Sequence, residues 1–304
     1  ALGTNNLSST RSIKLAPQKQ AAKLEDIRDA DYLIMYVADY ARNYPLLARR
    51  VKQCIEQGGT LIKVEQFQQI VEMVNQLEKG HDVVVVADGE QLTTAETKLL
   101  TSLVCTFSED YNLKLLLLSQ DGNSYGQQLM GVHPNFLPGY YLLSTPRNQQ
   151  LFAGYYGKVL PVKPGLNRSQ ILAGLQSGQL KGLVVVGDDL EWHKNLLHPD
   201  VFAIAIAANW QDHFQDFSVI LPGTTFLETN GTALNVEGRL QKVHQVIPAK
   251  GDKSNWRIIA DLMNAFGVNY QVADINDIVK EIVSIVNSLV TKPSRTVLSK
   301  LLEG

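Results

Sequence analysis

Short apolar runs alternate with helical patterns along this chain, and that alternation limits the fold more than any other feature. The runs lie at 32–37, 61–64, 82–87, 115–118, 182–186, 201–207 and 217–221. Val83, Val84, Val85 and Val86 follow one another without a polar break, as in a strand buried on both faces. Between the runs come segments with helical spacing. One spans Leu46 to Gln57 and stops at Gly58-Gly59. Gln66 to Glu78 carries Phe67, Ile70, Val71, Val74 and Leu77 on one face. Thr93 or Thr94 can cap the next helix, with Glu96 in its first turn and a stripe of Leu99, Leu100, Leu103, Val104 and Phe107. Ile275 to Leu289 is periodic through Ile278, Ile282, Ile285, Val286 and Leu289, and one more short helix is expected after Lys292. This order predicts an α/β fold with doubly wound, mostly parallel, Rossmann-like sheets and helices on both faces. The expected organisation is a polar tail or linker over 1–20, a first Rossmann-like half over 21–165, and a second over 166–304. The second half holds a long polar loop, 222–241, and the C-terminal helices.

The composition narrows the class of partner. With 304 residues, 45% of them hydrophobic, the chain has length for one large or two ordinary domains. A net charge of -2 and a pI near 6.3 give no basic footprint, so nucleic acid is not an expected partner. No apolar run approaches the roughly 20 residues of a membrane helix, and direct membrane insertion is not expected. The start, ALGTNNLSSTRS, has neither an initiator Met nor an apolar signal core, which makes the chain a piece of a longer, cytoplasmic protein in this reading. Cys54 and Cys105 sit in helix-like segments without CxxC spacing and read as buried free thiols.

Phe217 to Gln241, FSVILPGTTFLETNGTALNVEGRLQ, organises the chemistry. An apolar run stops at Pro222-Gly223, and a polar, glycine-punctuated loop follows, the place where α/β proteins put ligand contacts. Its other reading is a surface loop and hairpin whose glycines only permit positive φ. The order of Leu221, Pro222, Glu228, Gly231, Thr232, Asn235, Glu237, Gly238, Arg239 and Gln241 resembles the motif near the end of the nucleotide-binding domains of molybdopterin oxidoreductases. A second segment, GNSYGQQLMGVHPNFLPGY, resembles that family through Asn123, Gly126, Met130, Gly131, Pro134, Pro138, Gly139 and Tyr140. Further likenesses are GTNN at 3–6, a strand–helix–strand unit over 31–64, Gly187-Asp188, and Pro248 to Trp256, where Asn255 replaces the usual Asp.

The resemblance implies candidate cofactor contacts at Gly122, Asn123, Gly126, Asp188, Glu228, Asn230, Gly231, Asn235, Glu237 and Arg239. Asp188 reads equally well as a helix N-cap. No catalytic residue and no metal ligand is assigned. His133 lacks an i+4 partner, and the group of Asp189, Glu191, His193 and His198 crosses a loop without metal-site spacing. Several family features are missing. GTNN is followed by Leu7-Ser8-Ser9-Thr10-Arg11, with no Cys or His for molybdenum. The turn after the first strand, Ala38 to Asn43, lacks the glycine that lets backbone approach a diphosphate. No β-rich segment follows for a pterin-clamping barrel.

These departures make the chain most like the molybdopterin-oxidoreductase-like portion of the large iron–sulfur subunit of NADH-quinone oxidoreductase. In that reading it is a non-catalytic scaffold without its own cofactor. Its partners are the other subunits of an oxidoreductase complex, through which it sits at the inner face of the membrane, and iron–sulfur clusters lie elsewhere in the parent. The alternative is a fragment of a molybdenum enzyme, such as an NAD-linked formate dehydrogenase, contacting a molybdopterin guanine dinucleotide. A stand-alone nucleotide binder is the third reading, and no GxGxxG follows a predicted strand to support it.

Overall fold

The computed structural model describes residues 4–9, 20–107, 111–119, 121–187, 193 and 195–289. Asp188, Asp189, Glu191, the Thr10-Arg11 step and the segment after Lys292 lie outside them. Two compact units form. The first comprises Arg11–Tyr125 together with Leu234–Arg239; the second comprises Ala1–Thr10, Gly126–Ala233 and Leu240–Gly304.

The first unit runs α1 (Leu24–Asp29), β1 (Tyr32–Tyr36), α2 (Tyr40–Asn43), α3 (Pro45–Glu56), β2 (Thr60–Lys63), α4 (Phe67–Gln76), β3 (Asp82–Asp88), α5 (Thr94–Phe107) and β4 (Asn112–Leu118). Its sheet is parallel throughout, in the order β2-β1-β3-β4. The valine run accounts for this architecture. Val83 and Val85 pack on one face with Ile34, Ile70, Val74, Leu100 and Leu115, while Val84 and Val86 pack on the other with Leu33, Met35, Leu47 and Val51. Apolar groups alternate to two buried faces, so helices must cover both.

Helix α5 shows how a face is chosen. Thr93 and Glu96 close a reciprocal capping box, with Glu96 N–H donating to Thr93 Oγ1 at 3.2 Å and Thr93 N–H to Glu96 Oε2 at 2.7 Å. From that start, Leu100, Leu103 and Val104 turn inward. Leu99 is exposed, contrary to the expected stripe, because it precedes the i, i+3, i+4 face by one position. Cys105, one position beyond Val104, also falls outside that face and is exposed, which corrects its reading as a buried thiol. Cys54 is fully buried, as expected.

After α6 (Ser124–Leu129), the second unit carries β5 (Phe136–Leu137) and β6 (Tyr141–Leu142) as a small antiparallel pair. Then come α7 (Pro146–Tyr156), α8 (Arg168–Gln176), β7 (Gly182–Val186), β8 (Phe202–Ala207) and β9 (Val219–Pro222). The last three form a parallel sheet in sequence order. On one face, Ala203, Ala205 and Ala207 leave room for Phe214 and Phe217, whose rings meet edge to face with centroids 5.4 Å apart. A hairpin of β10 (Gly231–Leu234) and β11 (Leu240–Val243) follows, then α9 (Asn255–Ala265) and α10 (Ile275–Leu289). Near the chain start, Asn5 Nδ2 donates to the Lys163 carbonyl and Leu166 N–H to Asn6 Oδ1. Gly165 makes that approach possible, since a Cβ there would run into the Asn5 carbonyl. Both parallel sheets confirm the expected fold class. Among the described residues, no helix is long and apolar enough to cross a membrane.

Candidate functional site

The polar loop after β9 folds by bonding to itself. Gly223 sits against the backbone of Ala207 and the side chain of Asn255, where a Cβ would come to 3.0 Å of both. Asn255 Oδ1 accepts from Thr224 N–H at 2.8 Å, so the residue standing for the family's Asp anchors the loop entrance. Thr225 then caps a single 3-10 turn, Phe226–Glu228. Buried Glu228 is saturated: Oε2 accepts from Thr225 N–H and Thr225 Oγ1, each at 2.9 Å, and Oε1 from Lys250 N–H at 3.1 Å. These donors, the Thr225 amide foremost, hold its carboxyl below the usual glutamate range. Asn230 brackets the hairpin, accepting from Gln245 N–H at 2.9 Å and donating to Gln245 Oε1.

The hairpin tip, 234–239, belongs to the first unit and is built the same way. Asn235 Oδ1 accepts from Glu237 N–H at 3.1 Å and Arg239 N–H at 2.9 Å, and its Nδ2 donates to Glu237 Oε2. Gly238 closes this turn at φ +70°, where a side chain is strained. Glu237, its side chain only 5% exposed, accepts the Leu24 N–H at the start of α1. Arg239 lies 3.8 Å from Glu25 and 3.7 Å from Glu237. Asn123 Oδ1 accepts Leu234 N–H at 2.8 Å. Val236 packs on the core beside α1 and α3. Of the remaining candidates, Gly122 and Gly231 have open space where a Cβ would sit, and Gly126 lies within α6. Asn123, Asn235, Glu237 and Arg239 are thus brought together in the first unit, whereas Glu228, Asn230 and Gly231 fall in the second.

A different place in the first unit has the shape of a site. At the carboxyl ends of β1 and β2, a crevice of about 400 Å³ is lined by Tyr36, Asp39, Lys63, Glu65 and Gln91 among others. Asp39 takes φ 45° and ψ 35°, a left-handed conformation that Asp tolerates better than most residues. The Lys63 ammonium lies 5.6 Å from the centre of the Tyr40 ring. The second unit has an apolar groove of about 270 Å³ between Met130, Pro138 and α10, with Tyr270 Oη donating to Glu281 at 2.6 Å. His133 is engaged within its own turn: its Nδ1 accepts Asn135 N–H at 3.1 Å, its ring centroid lies 4.8 Å from that of Phe136, and burial lowers its pKa. Among the described residues, no group of three His, Cys, Asp or Glu is placed to hold a metal ion.

The sequence model of the family described as "Molybdopterin oxidoreductase" matches residues 66–265. The chain belongs to this family. Its relatives include "Putative formate dehydrogenase YrhE" of Bacillus subtilis, 34% identical over 185 residues, which are 58% of this chain and 19% of that protein. "Probable oxidoreductase YjgC" of the same organism is 30% identical over 52% of this chain and 17% of its own length. "Putative formate dehydrogenase SAB2186c" of Staphylococcus aureus is 24% identical over 84% of this chain and 27% of its own. The molybdopterin-family chain therefore matches 17–27% of the length of these relatives. Among solved structures, the formyltransferase/hydrolase complex from Methylorubrum extorquens with methylofuran matches at a TM-score of 0.50, with 13% identity over 82% of this chain and 79% of that one, a likeness of fold alone.

What the sequence did not single out is the set of partners: Thr225, Lys250 and Gln245 around the loop, and Lys63, Glu65 and Gln91 around the crevice. Most of the loop's donors are backbone amides, which leave no mark in a sequence.

Proposed function

We propose that this chain is the α/β portion of a formate dehydrogenase-type oxidoreductase, acting as framework around which the reacting parts of a longer polypeptide assemble. The supporting observation is that similarity to a protein named as a formate dehydrogenase runs through 84% of the chain, with the polar loop's motif complete. The redox chemistry, the iron–sulfur clusters and the docking of other subunits belong, in this reading, to the parent in the cytoplasm. The group that the family implies is a molybdopterin guanine dinucleotide. The candidate side chains of the polar loop fit it poorly. Glu228, Asn235 and Glu237 already accept backbone amides, and Arg239 faces two carboxylates.

That poor fit favours a second reading, a cofactor-free scaffold like the corresponding portion of the large iron–sulfur subunit of NADH-quinone oxidoreductase. Full-length parent purified from its host separates the two. Near-stoichiometric molybdenum or tungsten, with formate-dependent reduction of a viologen dye, is the outcome expected of the first reading. Protein without metal, pterin or formate turnover overturns it and leaves the scaffold.

A further inference from the structure

We infer that the groove beside α10 binds an aliphatic ammonium, a positively charged nitrogen on a short hydrocarbon body. The groove lies wholly within the second unit, and the inference holds under either reading of the parent. Apart from Tyr270 and Glu281 its lining is apolar: Ile278, Ile282 and Ile285 stand at i, i+4 and i+7 on one face of the helix, joined by Met130 and Pro138. A volume of about 270 Å³ is near the lower end of small-molecule sites. Seven residues line it, whereas a stable protein interface engages roughly 20–30 a side, so the occupant is a small molecule.

The one charge in this lining has no counter-ion. Glu281 is half-buried, and its Oε2 accepts the Tyr270 hydroxyl at 2.6 Å, a length typical of a hydroxyl donating to a charged oxygen. Among the described residues no Lys, Arg or His pairs with it. The cations of α9 and α10 are engaged elsewhere. Lys280 lies 3.3 Å from Asp277, and Arg257 donates to the carbonyls of Val272 and Ala273. Tyr155 and Tyr156, at the end of α7, are near enough to feel the same carboxylate: burial first, and then Glu281, pushes both phenols up. The carboxylate therefore sits among neutral hydroxyls and hydrocarbon, where an unpaired charge is unfavourable and an incoming cation offsets the penalty.

The surroundings select an organic cation. A metal ion would find one carboxylate here, and among the described residues no group of three ligating side chains. An alkyl chain can lie along the isoleucines while its ammonium reaches Glu281, and phenol rings attract cations through their faces.

The test is a titration of the full chain, labelled at isoleucine and methionine methyls, with n-hexylammonium, n-hexanol and hexanoate, followed by NMR. Hexylammonium is expected to shift the Met130, Ile278 and Ile282 methyls saturably. It should bind at least ~10-fold tighter than hexanol, the worth of one charge-assisted hydrogen bond, and hexanoate should bind weakest. Glu281→Gln, which can still accept from Tyr270, should lose the preference for the amine and keep the binding of hexanol. Equal binding of amine and alcohol by the wild-type chain overturns the inference. So do hexylammonium shifts confined to methyls outside the groove, no saturable shift at all, or a Glu281→Gln variant that still prefers the amine.

Discussion

The loop after β9 and the turn after β1 both follow parallel strands, yet they spend their polar residues in opposite ways. In the loop, Glu228, Asn230, Asn235 and Glu237 each accept backbone N–H groups of the protein. At the turn, Asp39, Lys63 and Glu65 face a crevice. The region richest in family motif is the one whose polar side chains are bonded to the protein's own amides. A dense motif can mark a structural necessity as readily as a contact. Glu228 serves the loop much as a capping residue serves a helix, by satisfying amides that the chain's path leaves without a partner.

The contrast can be broken by substitution. Glu228→Ala should cause the largest loss of thermal stability of the set, since three donors lose their acceptor at once and the residue is buried. Its pH dependence has a definite sign. A carboxyl held below its usual pKa contributes stability fully above the ordinary glutamate pKa and loses it as pH falls through the lowered value. The stability gap between wild type and Glu228→Gln, measured by urea unfolding, should therefore shrink from pH 7 toward pH 3. A gap that widens on acidification would contradict the hydrogen-bond assignment.

Asn235→Ala removes the acceptor of two amides at the hairpin tip and should cost about 1–3 kcal/mol in the same assay. Arg239→Ala should cost less than about 1 kcal/mol, because its pairs are long and the side chain is 57% exposed. Asp39→Asn, which keeps a residue that tolerates the left-handed turn, should change stability by no more than about 0.5 kcal/mol, the reverse of the loop variants. A large loss of stability from Asp39→Asn would make the turn structural too and erase the contrast.

Much of the fold was legible because burial on both faces writes long apolar runs, as at Val83 to Val86. Leu99 and Cys105 were misplaced because a helix of mixed apolar residues does not declare which of two adjacent stripes faces inward until the sheet is beneath it. The two-residue strands β5 and β6 carry too few residues to show any period. The loop's importance was visible in its residues, but its role was not. Whether Glu228 holds a ligand or the amides of Thr225 and Lys250 depends on backbone groups that every sequence contains. Glu65 stands just before α4, where an acid is common, and the crevice beside it exists only once β1, β2 and β3 are aligned.

Amide hydrogen exchange on the full chain, resolved residue by residue, tests most directly whether the motif is architectural. The amides of Thr225, Leu234, Glu237, Arg239 and Lys250, each donated to a motif side chain, should exchange slowly. In Asn235→Ala, those of Glu237 and Arg239 should become fast while Lys250 stays protected. Fast exchange at all five in the wild-type chain would mean the motif side chains are free for a ligand, and the account given for this loop would be wrong.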